Sequence, residues 1–340
     1  MSEVEAWLLS IAAAVIPTVV YVLVLWWFDR YEKEPRHLLW ISFFWGAVPA
    51  ALLSLVAESY LGGPLGAFGE STAKLVSGSV VAPFVEEIAK GLAVLILFLF
   101  LRREFDDVLD GIIYGATVGF GFAMTENALY FMRGLAREGT QVMTLIVFLR
   151  SFVFGLNHAL FSSVFGAALG YARNAQKGCL ARVMAPLGLL GAMILHAVHN
   201  LFASLVHVTC FSLVFSLLSD WGGVLVVFAV MALAWQQEKR WIASHLQAEV
   251  ASGLLTQEQL DMISSYRRRL VAQWQAWSRG GWRRARHMGR LSQLATELAF
   301  KVEQGDEPMV QQLRNELAML LGVTISGPPG PGTPPPNTAV

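Results

Sequence analysis

The chain has 340 residues; 55% are hydrophobic, 15% are charged and the formal net charge is zero. A soluble domain carries about 25% charged residues, so a purely soluble globular protein is excluded. The neutral total says nothing about partners; the distribution of charge says more. The charge deficit is concentrated in residues 1–235. The chain therefore reads as an all-α polytopic membrane protein, a bundle over 1–235, followed by a helical domain over 236–321 and a tail over 322–340. Cys179 and Cys210 stand far apart, in no metal-like spacing and with no disulfide framework.

About seven apolar runs are long enough to span a bilayer: Trp7–Phe28, Leu38–Ala57, Leu75–Leu101, Val108–Met132, Val142–Ala172, Val183–Val206 and Val208–Trp235. The first lacks a basic flank, so it is expected to stay as a transmembrane helix rather than leave as a signal peptide. In the last, Asp220-Trp221-Gly222-Gly223 is expected to interrupt the span as a short re-entrant piece. Lys and Arg in short loops set orientation. One side holds Arg30, Lys33, Arg36, Arg102, Arg103, Arg173, Lys177 and Arg182; the other holds Lys74, Arg133 and Arg137. Seven spans then place the N-terminus outside and the C-terminus in the cytoplasm.

Residues 236–290 carry ten Lys or Arg against four acids, with Trp241, Trp274, Trp277 and Trp282 interleaved. Basic residues with tryptophan at helical spacing suit a helix lying on an anionic leaflet. No nucleic-acid motif accompanies them, and a plain solvated helical tail would show the same composition. Residues 291–321 read as further amphipathic helix, and from Gly322 the Gly/Pro-rich composition predicts disorder.

The third span contains Glu86, Glu87 and Lys90. Each charge at a bilayer centre costs about 2.5–3.5 kcal/mol on insertion scales, so these groups must pair, neutralise or line a wet cavity. Glu86 and Lys90, four apart, share a face and are expected to form the ion pair, while Glu87 points about 100° away. A structural ion pair is one reading; a carboxyl pair that shuttles a proton is the other. In the fourth span Gly111, Gly115 and Gly119 make a small-residue stripe for close helix packing. Glu126 lies near that packed face. In the fifth span Ser151, His158 and Ser162 share a face, and Arg150 is expected near enough to the outer end to snorkel. The sixth carries His196, His199 and Asn200 at i, i+3 and i+4. That spacing suits a metal, or an imidazole and an amide around an oxyanion. No H-E-x-x-H occurs. Glu86, Glu87, His158 and His196 fall near the midplane, with Glu126 about 9 Å toward the outside at 1.5 Å per residue. Such convergence favours one shared site.

These motifs resemble the PrsW family of intramembrane proteases, a branch of the superfamily that includes the type II CAAX prenyl endopeptidases and bacteriocin-processing membrane proteins. The matching residues are Glu86-Glu87-Ile-Ala-Lys90, Phe122-Ala-Met-Thr-Glu126, His158 and His196-Ala-Val-His199-Asn200. The loop from Phe28 to Pro35 is also similar to the family's first cytoplasmic loop. The resemblance implies peptide-bond hydrolysis in a bacterial plasma membrane, acting on a single-span protein such as an anti-sigma factor. It implies that Glu86 or Glu87 activates water and that His158 and His196 position it, directly or through a divalent metal such as zinc. Glu126 would be a third ligand or an orienting carboxylate, Asn200 an oxyanion partner, and Lys90 the group that holds the carboxylates in register. His199 departs from the aromatic residue many relatives carry. The alternative from a different class is a proton-coupled transporter or channel using the same Glu/His/Lys cluster.

Overall fold

The structure is a computed structural model that describes residues 3–31, 33–102, 104–174, 179–209 and 211–323, without the side chains of 174 and 180–182. Glu32, Arg103, Lys177, Cys210, the tail beyond 323 and the Arg182 side chain therefore lie outside the described residues. Every regular element among the described residues is helical. The chain forms two compact units: one runs up to Ala232, and the other starts at Leu233 and also takes in Arg30 and Tyr31.

In the first unit, α1 spans Glu3–Phe28 and α2 spans Arg36–Phe68. A third stretch, α3, covers 70–100 and ends in the helix Ala82–Phe100. Then come α4 (Val108–Glu138), α5 (Thr140–Val147 with a π turn at Phe148–Val153), α6 (Asn157–Asn174), α7 (Cys179–Ser204) and α8 (Phe211–His245). Among the described residues, six helical stretches are long and apolar enough to cross a membrane. The charge-bearing α3 is not one of the six, because Glu86, Glu87 and Lys90 sit in its middle. Two expectations change. Asp220 does not interrupt α8, which runs unbroken from Phe211. The fifth span breaks instead, at 154–156, so that Asn157 and His158 open α6.

The central element is α4. Of its most apolar window 78% is buried, against 17–33% for the other five. Its start is fixed by a capping box. Asp107 Oδ1 accepts the N–H groups of Leu109 and Asp110, and Asp110 Oδ2 accepts that of Asp107. The glycine stripe then lets α6 approach until the backbones touch. A Cβ on Gly119 would lie 2.3 Å from the His158 carbonyl oxygen, and one on Gly115 would lie 2.4 Å from that of Ser162. Gly121, on another face, packs as tightly on the Phe43 carbonyl of α2. Among the described residues, three π turns interrupt the helices, at Gly46–Ala50, Ser77–Val81 and Phe148–Val153. Such turns widen a helix locally and often mark functional sites.

At one end of this unit the connection 29–35 is tied to the start of α4. Asp29 Oδ2 accepts the Glu34 N–H at 2.7 Å, and the Tyr114 hydroxyl donates to Glu34. Arg173, at the end of α6, donates to the Phe98 and Phe105 carbonyls at the same end.

The second unit packs α9 (Gln247–Ala251), α10 (Gln257–Ile263), α11 (Tyr266–Gln304) and α12 (Glu307–Leu321) around Ile242, Leu246, Ile263, Leu294, Leu298 and Leu317. Arg269 is buried there. It donates to the Ile263 carbonyl and to the Thr296 hydroxyl, and burial pulls it down to about 10. Gly281 has φ +67° and folds α11 into two helical arms. Positive φ costs glycine little, so the chain reverses here without strain.

Two stability predictions follow from this packing. Gly119→Ala puts a methyl into a backbone contact and is expected to destabilise by about 1–3 kcal/mol. Gly222→Ala, in a helix with nothing within 4 Å, is expected to be neutral or to gain about 0.5–1 kcal/mol. Thermal unfolding in detergent compares them. The second concerns pH. Burial pushes Asp29 up to about 7 and Glu34 up to about 8, with Lys33, Glu104, Asp107 and Asp110 around them. The folded chain thus keeps protons that the unfolded chain loses near about pH 4. Stability is therefore expected to fall as pH rises from about 4 to 8. Glu34→Gln, which still accepts the Tyr114 hydroxyl, should flatten that fall; an unchanged slope would refute it.

Candidate active site

Lys90 is 0% exposed and lies inside the apolar bundle. An ammonium there needs acceptors for its three N–H groups. It donates to Glu87 Oε1 at 2.5 Å, lies 3.2 Å from His158 Nδ1 and 3.8 Å from Glu86 Oε2, and sits 4.6 Å above the Phe122 ring. The tighter ion pair is thus with Glu87, three residues back, and not with Glu86 as the i, i+4 spacing suggests. The i, i+3 relation brings side chains together as readily, and the neighbours decide between them.

Those neighbours occupy Glu87 completely. Its Oε1 also meets His196 Nδ1 at 2.8 Å, and its Oε2 accepts from Ser162 Oγ at 3.5 Å. Glu86 differs. Its Oε2 is buried without a hydrogen-bond partner, 3.9 Å from His158 Nδ1 and 3.9 Å from His196 Nε2. Two imidazoles on different helices, with Lys90 Nζ at 3.8 Å, therefore face one carboxylate oxygen that accepts no hydrogen bond.

His158 is held from its other side. Its Nε2 meets Glu126 Oε2 at 2.8 Å, and the same oxygen accepts from Arg150 Nη2 at 2.6 Å. Arg150 Nε donates to Asn127 Oδ1 at 2.7 Å, and its guanidinium stacks on Tyr130. Arg150 does not snorkel; the π turn at Phe148–Val153 turns it inward onto Glu126. The sequence held one signal for this: an arginine eight residues before an intramembrane histidine, with an acid-amide pair on the preceding span.

These groups line a cavity of about 580 Å³. Glu86, Glu126, Arg150, His158 and His196 face it, and Glu87 does not. The cavity reaches Arg133 and Val206, toward the end opposite the 29–35 connection. Glu58 also lines it. The sequence reading missed Glu58 because it ended the second span at Ala57, whereas the helix continues to Gly62. Asn200 lines the cavity, but its amide is engaged: Nδ2 donates to the Gly78 carbonyl at 2.8 Å, in the π turn Ser77–Val81. His199 belongs to a neighbouring group with Asn157, Ser216 and Asp220.

The cluster suits a cation. Glu86, His158 and His196 each offer one ligand atom, all within 4.8 Å of one another; Glu126 is not one of these three. Two imidazole nitrogens and one carboxylate oxygen are the donor set of a catalytic zinc site with an open position. Each imidazole has its remaining nitrogen on a carboxylate, Glu87 or Glu126. That is how ligating histidines are ordinarily oriented. At and just behind the cavity wall, Glu58, Glu86, Glu87 and Glu126 stand against Lys90, Arg133 and Arg150, so acidic groups outnumber basic ones four to three and a cation would offset the difference. Lys90 and a metal cannot both use His158 Nδ1.

Comparison with known proteins agrees with these motifs. The family described as PrsW family intramembrane metalloprotease matches residues 34–236. The protease PrsW of Bacillus subtilis (strain 168) is 34% identical over 167 residues, covering 48% of this chain and 68% of that protein. The protease PrsW of Geobacillus kaustophilus (strain HTA426) is 31% identical over 167 residues, 49% and 68%. That of Clostridioides difficile (strain 630) is 29% identical over 162 residues, 46% and 62%. No solved structure matches.

Proposed function

The chain belongs to the PrsW family of intramembrane metalloproteases and is a multi-pass membrane protease, and we propose that it cuts a membrane-spanning protein, such as an anti-sigma factor, in the cavity around Glu86 and Glu126. The observation that carries this is the pair of imidazoles, each clamped by a carboxylate and turned toward the same orphan oxygen of Glu86. By the loop charges, the cavity end faces the outside of a bacterial plasma membrane. Nothing in the geometry favours the proton-relay alternative.

Glu86, His158 and His196 would hold a divalent metal such as zinc, with Glu126 as an orienting carboxylate rather than a ligand. Such an ion supplies Lewis-acid polarisation and an acidic water. The protein supplies the rest. Glu87 and Lys90 fix His196, and Lys90 holds Glu87 against it. Glu126 uses Oε2 on His158 and Arg150, which leaves Oε1 for the cavity. With Glu86 facing the ion and Glu87 outside the cavity, that oxygen, rather than either of them as the resemblance implies, takes the proton of the attacking water and returns it to the departing amine. Asn200 has a second N–H beyond the one on Gly78, available to a substrate carbonyl.

Metal content and cleavage test these roles separately. Purified wild-type protein is expected to hold about one metal ion per chain, and His196→Ala or Glu86→Gln to lose it. Glu126→Gln should keep the metal while cleavage falls by about 10²–10⁴-fold. Active protein without stoichiometric metal, or normal cleavage by Glu126→Gln, would overturn the assignment.

For the second unit we propose contact with anionic lipid through the α11 arms. Trp274, Trp277 and Trp282 are exposed there among Arg267, Arg268, Arg279, Arg283, Arg284 and Arg286. Aromatic rings and arginines together favour an anionic interface. A dye at Ser278→Cys, in a Cys179→Ser/Cys210→Ser background, should be quenched by brominated phosphatidylglycerol in nanodiscs and less so at high salt. Equal quenching by neutral brominated lipid would refute the electrostatic part.

A further inference from the structure

The group around Asp220 takes no part in the assignments above, yet it adjoins them. Asp220 is 2% exposed and lies in α8, outside the motifs of the protease site. Its Oδ2 lies 2.7 Å from His199 Nδ1, 3.1 Å from Asn157 Nδ2 and 3.3 Å from Ser216 Oγ. Its Oδ1 is buried without a partner. Three donors from three helices converge on one oxygen of one carboxylate. A carboxylate within a bilayer costs several kcal/mol, and a purely structural contact between α7 and α8 would be made more cheaply by apolar side chains.

The result of this arrangement is the setting of His199. The Asp220 carboxyl group holds Nδ1, which fixes the ring orientation and leaves Nε2 without a hydrogen-bond partner among the described residues. Every hydrogen bond His199 makes among the described residues is at Nδ1, and the ring lines the cavity. His199 follows His196 by one helical turn, and Asn157 precedes His158 directly in the chain. The Phe161 ring lies 4.7 Å from the His196 ring and 6.2 Å from that of His199. The Phe154 ring lies 5.0 Å from His199 on another side. The imidazole is thus held in place beside the reacting centre, with one nitrogen open.

We propose that His199 is a catalytic residue of this protease: its Nε2–H donates a hydrogen bond to the substrate carbonyl oxygen as that oxygen becomes an oxyanion. Asp220 is its positioning residue. Attack by water forms the new carbon–oxygen bond and moves the carbonyl electron pair onto oxygen. The charge that appears there is met by an N–H whose ring is held in place by Asp220 through its other nitrogen. A donor placed where charge develops acts on the transition state more than on bound substrate. It should therefore affect kcat and leave KM nearly unchanged. Neither His199 nor Asp220 belongs to the donor set of Glu86, His158 and His196, so metal content should not move.

This inference rests on the protease reading, and the test separates the two. Full-length protein in proteoliposomes is given lysine-flanked, membrane-spanning leucine–alanine peptides with a donor–quencher pair and a randomised central stretch. Wild-type cleavage that Glu126→Gln abolishes establishes the protease reading, and absence of wild-type cleavage removes both. Given cleavage, His199→Phe, which keeps an aromatic ring between Phe154 and Phe161, is expected to lower kcat by about 10²-fold with KM within about twofold. Asp220→Asn should lower kcat by about tenfold or more through loss of ring orientation. The double variant should be no slower than His199→Phe, because the two act as one unit. All three should retain wild-type metal content, and the double variant, which leaves no buried carboxylate without its imidazole, should keep nearly the wild-type thermal midpoint. Unchanged kcat in His199→Phe would overturn the proposal. So would kcat losses that multiply in the double variant and follow a falling thermal midpoint, since that is the behaviour of a structural contact.

Discussion

A lysine ammonium buried inside a membrane bundle has to be surrounded by acceptors, and Lys90 sets the terms for everything near it. It draws Glu87 to 2.5 Å, and Glu87 in turn holds His196. Removing either partner would strand a charge in a medium that solvates it poorly, at a cost of about 3–5 kcal/mol. Once Glu87 is fully engaged, Glu86 is the acid left over. Its unpartnered oxygen lies between two imidazoles. The reactive character of the site is thus the residue of an electrostatic accounting that Lys90 and Glu87 do not complete by themselves.

The backbone makes this accounting possible. Glycines on α4 let α6 approach to contact, so His158 and Glu126 meet across the interface at hydrogen-bond distance. The π turns then aim individual groups. One turns Arg150 inward to Glu126, and another presents the Gly78 carbonyl to Asn200. An ordinary helical register at Phe148–Val153 would direct Arg150 elsewhere, and Glu126 would lose its strongest partner. Close packing and local irregularity are therefore complementary: the first fixes distances between helices, the second selects which side chains enter the cavity.

Two buried polar groups flank one another in this bundle. The first centres on Glu86, His158 and His196, and the second on Asp220 and His199. They share helices α6 and α7, where His158 neighbours Asn157 and His196 precedes His199 by one turn. A substrate chain in the cavity would meet both. At the other end of the unit, Asp29 and Glu34 are buried acids of a different kind. They tie the first connection to α4, and burial raises both carboxyls, so the fold favours their protonated forms.

Much of this was legible in the residues. Apolar runs marked the six helical stretches that are long and apolar enough to cross a membrane, though the expected third span is not among them, because a bilayer core demands length and hydrophobicity and little else. The charges at 86, 87, 90 and 126 and the histidines at 158 and 196 stood out because lipid makes such groups expensive wherever they occur. Periodicity, however, describes one helix at a time. Whether Lys90 pairs with Glu86 or Glu87, whether Arg150 reaches lipid or Glu126, and whether Asp220 breaks a helix or sits buried within it depend on what the neighbouring helix presents at that depth. Those choices belong to the tertiary structure, since the energy of a buried charge is set by its partners across helix interfaces and not by its place along the chain.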